Sequence, residues 1–185
     1  LSAFTAVPTS QAAADDADLV ALCEQLYGDY MEVPTAEPLA ACQWDMAMIG
    51  ANDETFSRAT GKGVKVGVLD SGIDFNHPDL APNIDVALSC SFITADDPLA
   101  LDVEKADGDC SDKAAVQDYG DHGTHVATTI GAPINGFGIA GVAPEATIVG
   151  VKVCSAFGFC FADAVANGIR YAGDAGLDVI NLSLF

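Results

Sequence analysis

The sequence predicts an α/β fold, a doubly wound and mostly parallel sheet with helices on both faces. Three observations carry that prediction. Val64-Lys65-Val66-Gly67-Val68-Leu69 is a valine-rich apolar run that stops abruptly at Asp70-Ser71-Gly72. With both faces apolar and no helical period, it reads as a buried strand of a parallel sheet. Strand-like and helix-like segments then alternate to the end of the chain, an order that implies right-handed crossovers. Half of the 185 residues are hydrophobic, enough to build a core.

Taken in order, residues 1–14 read as a linker, although Gln11-Ala12-Ala13-Ala14 could also close the cleavage region of a signal peptide. Residues 15–28 read as an amphipathic helix with Leu19, Leu22, Cys23 and Leu26 in one stripe and Gly28 as its stop. Prolines at 34 and 38 mark residues 29–42 as linker, so 1–42 form a propeptide-like segment with one helix. The main domain, 43–185, opens at Gln43-Trp44-Asp45, with Trp44 as a core or docking anchor. Residues 86–120 hold seven Asp, one Glu and two Lys, which reads as a solvated surface insertion. Asp121 is placed to cap a helix running from His122 to about Gly131. Residues 147–153 form a second buried strand. A helix over 163–172 turns Val165 and Ile169 to one face, Gly176 stops it, and 178–184 form a third apolar strand.

Composition excludes several classes. The formal charge of −20, with only seven Lys and Arg, is unsuited to binding phosphate backbones. No apolar run is long enough to span a bilayer. Six cysteines fall into sequence-near pairs, Cys23/Cys42, Cys90/Cys110 and Cys154/Cys160, and none has a Cys-x-x-Cys spacing. That pattern suggests disulfides and an oxidising, secreted setting, with reduced buried thiols as the alternative.

The chemistry rests on Asp70 and His122. Asp70 ends a buried strand and His122 begins a helix, both on the edge where open α/β sheets carry their sites. A buried carboxylate there can hold one imidazole proton while the other ring nitrogen takes a proton from a nucleophile.

Asp70-Ser71-Gly72-Ile73-Asp74, His77-Pro78-Asp79-Leu80, His122-Gly123-Thr124-His125-Val126-Ala127, Gly141-Val142-Ala143-Pro144 and Asp178-Val179-Ile180-Asn181-Leu182-Ser183-Leu184 together resemble the subtilisin-like serine proteases, over roughly residues 43–185. The resemblance implies a serine endopeptidase acting on polypeptides, with Asp70 as the acid and His122 as the base. It casts Ser71 as a turn residue, His125 as a packed or hydrogen-bonded helix residue and His77 as support for its loop. Ser183 and Leu184 would form one wall of the substrate groove, and the stretch around Gly158 the opposing edge, binding extended peptide by strand addition. Ser183 is otherwise simply the end of a strand. A structural calcium would use Asp79 and Asn135, with backbone carbonyls at Pro133, Phe137 and Ile139; the alternative is a plain Asn-Gly turn at Asn135-Gly136. No catalytic cofactor is implied, and the full-length parent would be a monomer.

Departures from the family pattern are as informative. No serine in the chain has the Gly-Thr-Ser-Met-Ala-type context of the family's nucleophile, and the oxyanion-hole asparagine is missing as well. Phe185 stands where a glycine would follow Ser-Leu, and Thr128 replaces the glycine usual after His-Val-Ala. The sequence therefore reads as the amino-terminal part of a catalytic domain, truncated before the nucleophile helix. A decayed relative that only binds peptide is the alternative. A metal hydrolase built on His122 and His125 is a weaker rival, since the pair lacks the fixed Glu of the helical zinc motif.

Overall fold

The computed structural model describes residues 9–29 and 32–184, with side chains described from residue 17 onward. It divides into two compact units. One runs up to Arg58 and takes in Ile134–Ile139; the other holds Ala59–Pro133 and the chain from Ala140 onward.

In the first unit, helix α1 spans Thr9–Tyr27. It starts ahead of the predicted residue 15, because the alanines at 12–14, read as linker, are the best helix formers. The predicted leucine stripe is not a buried face: Cys23 is buried, whereas Leu19, Leu22 and Leu26 are about half exposed. Cys23 is bonded to Cys42, with Cα atoms 4.9 Å apart. Trp44 opens the short helix α2, Trp44–Ile49, and is a partly exposed neighbour of Tyr27 rather than a core anchor, with ring centroids 6.5 Å apart. Gly50 ends α2 with φ of 71°, a conformation that glycine adopts without strain. Helix α3, Asp53–Phe56, carries a reciprocal Asn52/Thr55 cap. The proline-bearing stretch before α2 is packed rather than free, since Glu37 is buried and accepts from the amide of Gly136 at 3.1 Å.

The second unit is built on a sheet of four parallel strands. Their ranges are Lys65–Asp70 (β1), Cys90–Ser91 (β2), Thr147–Lys152 (β3) and Val179–Asn181 (β4), in the spatial order β2-β3-β1-β4. Because side chains alternate along a strand, β1 and β3 feed two cores. Val66, Val68 and Ile148 pack on one face with Val126, Ala127 and Ile130 of helix α5, His122–Gly131, which follows the single-turn helix α4, Lys113–Val116. Leu69, Val149 and Val151 pack on the other with Ala164 and Val165 of helix α6, Ala162–Asp174. Helices therefore cover both faces, as predicted.

Three expectations change. The buried face of α6 is Ala164, Gly168 and Ala172, while Ile169 is exposed. A Cβ on Gly168 would sit 2.8 Å from Val153 Cγ1, so small residues are what let this helix approach the sheet. Strand β4 is shorter than 178–184 and partly exposed, since among the described residues β1 is its sole neighbour in the sheet. Residues 86–120 are not merely a solvated insertion. They supply β2, bury Ile93, Val116 and Glu104 completely, and are closed by Cys90–Cys110, with Cα atoms 4.4 Å apart. Phe185 lies outside the described residues, as do 1–8.

Candidate active site

Asp70 is the last residue of the central strand β1, opposite Lys152 in the β3 register. Its side chain is 2% exposed. One oxygen, Oδ1, accepts from the amide of Ser71 at 2.7 Å and meets His122 Nδ1 at 2.8 Å. The other, Oδ2, is buried with no hydrogen-bond partner among the described residues. The His122 side chain is 45% exposed, so it reaches from a buried acid toward solvent.

The start of α5 is held in place from outside the helix. Asp121 occupies the capping position, but with φ of 65° and no side-chain cap, so the predicted role is not the one it plays. The unpaired amides of the first turn are met by other groups. Gly123 donates to Ser71 Oγ at 2.9 Å, and Thr124 donates to Asp118 Oδ2 at 2.8 Å. Ser71 Oγ in turn donates to Asp118 Oδ1 at 2.9 Å. Ser71 is therefore more than a turn residue: with Asp118 it joins the Asp70 turn to the His122 helix. Thr128 is buried within α5, its hydroxyl donating to the carbonyls of Thr124 and His125.

Behind Asp70 lies a fully buried ion pair. Lys152 Nζ is 2.7 Å from Glu104 Oε1, with both side chains completely buried. The ammonium also donates to the carbonyls of Ser71 and Gln117. Burial pushes the Lys152 ammonium below its ordinary range, opposed by the Glu104 hydrogen bond and charge and then by Asp118 and Asp70. Glu104 and Asp118 are absent from the sequence-based site. The available signal was Lys152 itself, since a lysine inside an apolar strand requires a carboxylate partner.

A cleft beside His122 is lined by Asp70, Cys154, Ala156, Gly158, Ser183 and Leu184 among others, so the predicted acid, base and groove residues share one surface. The edge Ser155–Cys160 is closed by Cys154–Cys160, whose Cα atoms are 3.9 Å apart. Ser183 Oγ donates to Asn181 Oδ1 at 3.0 Å. His125 is exposed, and its backbone is hydrogen-bonded within α5: its amide donates to the carbonyl of Asp121, and its carbonyl accepts from the hydroxyls of Thr128 and Thr129. The carbonyl of His77 accepts from Leu80 and Ala81, which fixes its loop.

Asp79 is buried in the second unit, whereas Asn135 belongs to the first, where its side chain accepts from the amide of Phe137 at 2.8 Å. Gly136 has φ of 79°, as an Asn-Gly turn requires. Among the described residues, no group of three or more His, Cys, Asp or Glu is placed to hold a metal ion.

A model of the subtilase family matches residues 61–185. The chain belongs to that family. It is 42% identical over 137 residues to the minor extracellular protease Vpr of Bacillus subtilis, covering 74% of this chain and 16% of that protein. It is 39% identical over 129 residues to an intracellular serine protease of Paenibacillus polymyxa, covering 70% of this chain and 35% of the relative. Fervidolysin from Fervidobacterium pennivorans, described as a keratinolytic enzyme related to subtilisin, is 33% identical. Its structure matches with a TM-score of 0.60 over 80% of this chain and 21% of its own. The chain thus spans well under half the length of these relatives.

Proposed function

We propose that the chain is the acid- and base-bearing part of a serine endopeptidase that cleaves polypeptides. The observation that carries this reading is the 2.8 Å contact between Asp70 Oδ1 and His122 Nδ1 beside the cleft. Asp70 holds the proton on Nδ1 and stabilises the imidazolium. Nε2 takes the proton of a serine hydroxyl as it attacks the scissile carbonyl, and returns it to the leaving amine. The serine comes from outside residues 1–185, because no serine among them has the family's nucleophile context. Substrate lies extended between Ser183-Leu184 and the Ser155–Cys160 edge, held by backbone hydrogen bonds. Residues 1–42 serve as a propeptide-like segment. Three disulfides favour secretion, and the similarity to an extracellular protease agrees with it.

On this reading the 185 residues alone do not form an acyl-enzyme. Peptide hydrolysis by the purified chain, with and without a serine-directed phosphonate, tests that. The expected result is no phosphonate-sensitive turnover. Sensitive turnover that disappears in His122→Ala would show that a serine within these residues is the nucleophile. The binding-only alternative is separated by reading the encoding DNA beyond residue 185 for a Gly-Thr-Ser-Met-Ala-type motif.

A further inference from the structure

The acidic insertion sends one carboxylate into the interior, and that carboxylate touches both sides of the site. Glu104 is completely buried although it lies in the most acidic stretch of the chain. Its Oε1 meets Lys152 Nζ at 2.7 Å and accepts from the amide of Ala156 at 2.9 Å; its Oε2 accepts from the amide of Leu101 at 2.8 Å. Lys152 reaches on to the carbonyls of Ser71 and Gln117, so its ammonium sits under the turn that follows Asp70. Ala156 belongs to the edge segment that lines the cleft.

We infer that Glu104 is a positioning residue, supplied by the insertion, that sets the substrate edge at Ala156 in register with the Asp70-Ser71 turn. This rests on the proposed protease reading, in which that edge pairs with extended peptide. Three features make a purely space-filling role a poor description. A lone buried carboxylate is costly, and a buried ion pair is no more stabilising than apolar residues of the same volume. What the pair adds is direction, because each oxygen is aimed at a backbone amide. The two ends of the edge are tied by the Cys154–Cys160 bond, by the Cys154 amide donating to the Asp70 carbonyl and by the Phe161 amide donating to that of Val153. Between those ends, Ser155 donates to Phe159 and Gly158 donates to Ser155, so those bonds shape the loop without attaching it to the sheet. The Glu104 bond attaches its middle, at Ala156. On the far side, Gly120 lies so close to Ala156 that a Cβ there would be 2.8 Å from its carbonyl oxygen, which leaves the edge little room to find another position.

Loss of the Glu104 acceptor affects substrates in proportion to how far they extend along the edge. A short ester that engages only the reacting groups does not sense it.

Two double variants isolate the acceptor from the charge. Glu104→Gln with Lys152→Met removes both charges and keeps one carbonyl oxygen, which a crystal structure of the variant must place on Ala156 rather than on Leu101 for the inference to stand. Glu104→Leu with Lys152→Met removes both charges and the acceptor. Neither leaves an unpaired buried ion, and comparison between them cancels whatever is lost at Ser71 and Gln117. Amide hydrogen exchange is followed at Ala156 and, as a reference for the fold, at Val149. Expected is an exchange rate at Ala156 about tenfold or more faster in the Leu variant, with Val149 alike in both. In the protein that carries its serine, kcat/KM for extended peptides falls by about tenfold in the Leu variant relative to the Gln variant, while a short ester is cleaved equally by both. Equal protection of Ala156 in the two variants overturns the inference, and so does an equal loss on short and extended substrates. If the wild-type protein hydrolyses neither substrate, the protease reading fails, and the exchange comparison still decides whether Glu104 fixes the edge.

Discussion

Asp118 holds Thr124 through a single carboxylate oxygen, Oδ2, which lies 2.8 Å from the amide and 2.6 Å from the hydroxyl. Thr124 lies two residues after His122, so this grip fixes the turn from which the imidazole projects. The remaining oxygen of Asp118 accepts from Ser71 Oγ and from the amide of Gly120. Asp118→Ala strands these buried donors. The expected cost is about 3 kcal/mol in denaturant unfolding, because hydrogen bonds to a charged acceptor are lost and nothing replaces them.

Close backbone packing explains why a glycine follows His122. A Cβ there would fall within contact distance of the Gly72 carbonyl oxygen and 3.1 Å from the Gly72 amide nitrogen. Backbone atoms cannot rotate away as a side chain can. Gly123→Ala should destabilise by roughly 2 kcal/mol. It should also lengthen the Asp70–His122 contact, which a crystal structure of the variant would measure. A wild-type distance in that structure would show that the close approach does not position His122.

Tyr171 supplies an alkaline limit. Its hydroxyl donates to the carbonyl of Leu88 at 2.6 Å, and burial, followed by the charge of Asp85, raises its pKa above the ordinary value of 10.0. The native state therefore keeps this proton after the unfolded chain has released it. The stabilisation is complete below pH 10.0 and is lost as pH rises through the folded value. Unfolding at pH 8 and pH 11 measures it. Tyr171→Phe should lose about 1 kcal/mol at pH 8 from the missing hydrogen bond, and should show a shallower decline toward pH 11.

The Cys154–Cys160 bond closes a short loop, so its entropic effect is modest. Replacing both by serine should cost about 2 kcal/mol of stability. The larger effect falls on the edge: amides of residues 155–159 should exchange faster in the variant, while Val149 in β3 keeps its rate.

Legibility followed how local each signal was. Asp70 was readable because a valine-rich strand ending in Asp-Ser-Gly carries its own context, and His122 because it opens a short, distinctive helix motif. Helices on both faces of the sheet were readable because β1 is apolar on both of its faces. Glu104 and Asp118 were not readable as buried groups: in a run of acids with no period, a carboxylate that pairs with an interior lysine or holds a helix start looks like its solvated neighbours. β2 was missed because two residues leave no pattern. The buried face of α6 was misjudged because Val165 and Ile169 are its bulky residues, whereas contact with the sheet is made where Ala164, Gly168 and Ala172 leave room.

The central claim is that Asp70 and His122 act as one acid–base unit, and the most direct measurement is peptide hydrolysis by the protein carrying its serine, comparing wild type with His122→Ala and Asp70→Asn. The account predicts a fall in kcat of about 10⁶-fold for the first and about 10⁴-fold for the second, with KM little changed. Hydrolysis by His122→Ala within tenfold of wild type would contradict it.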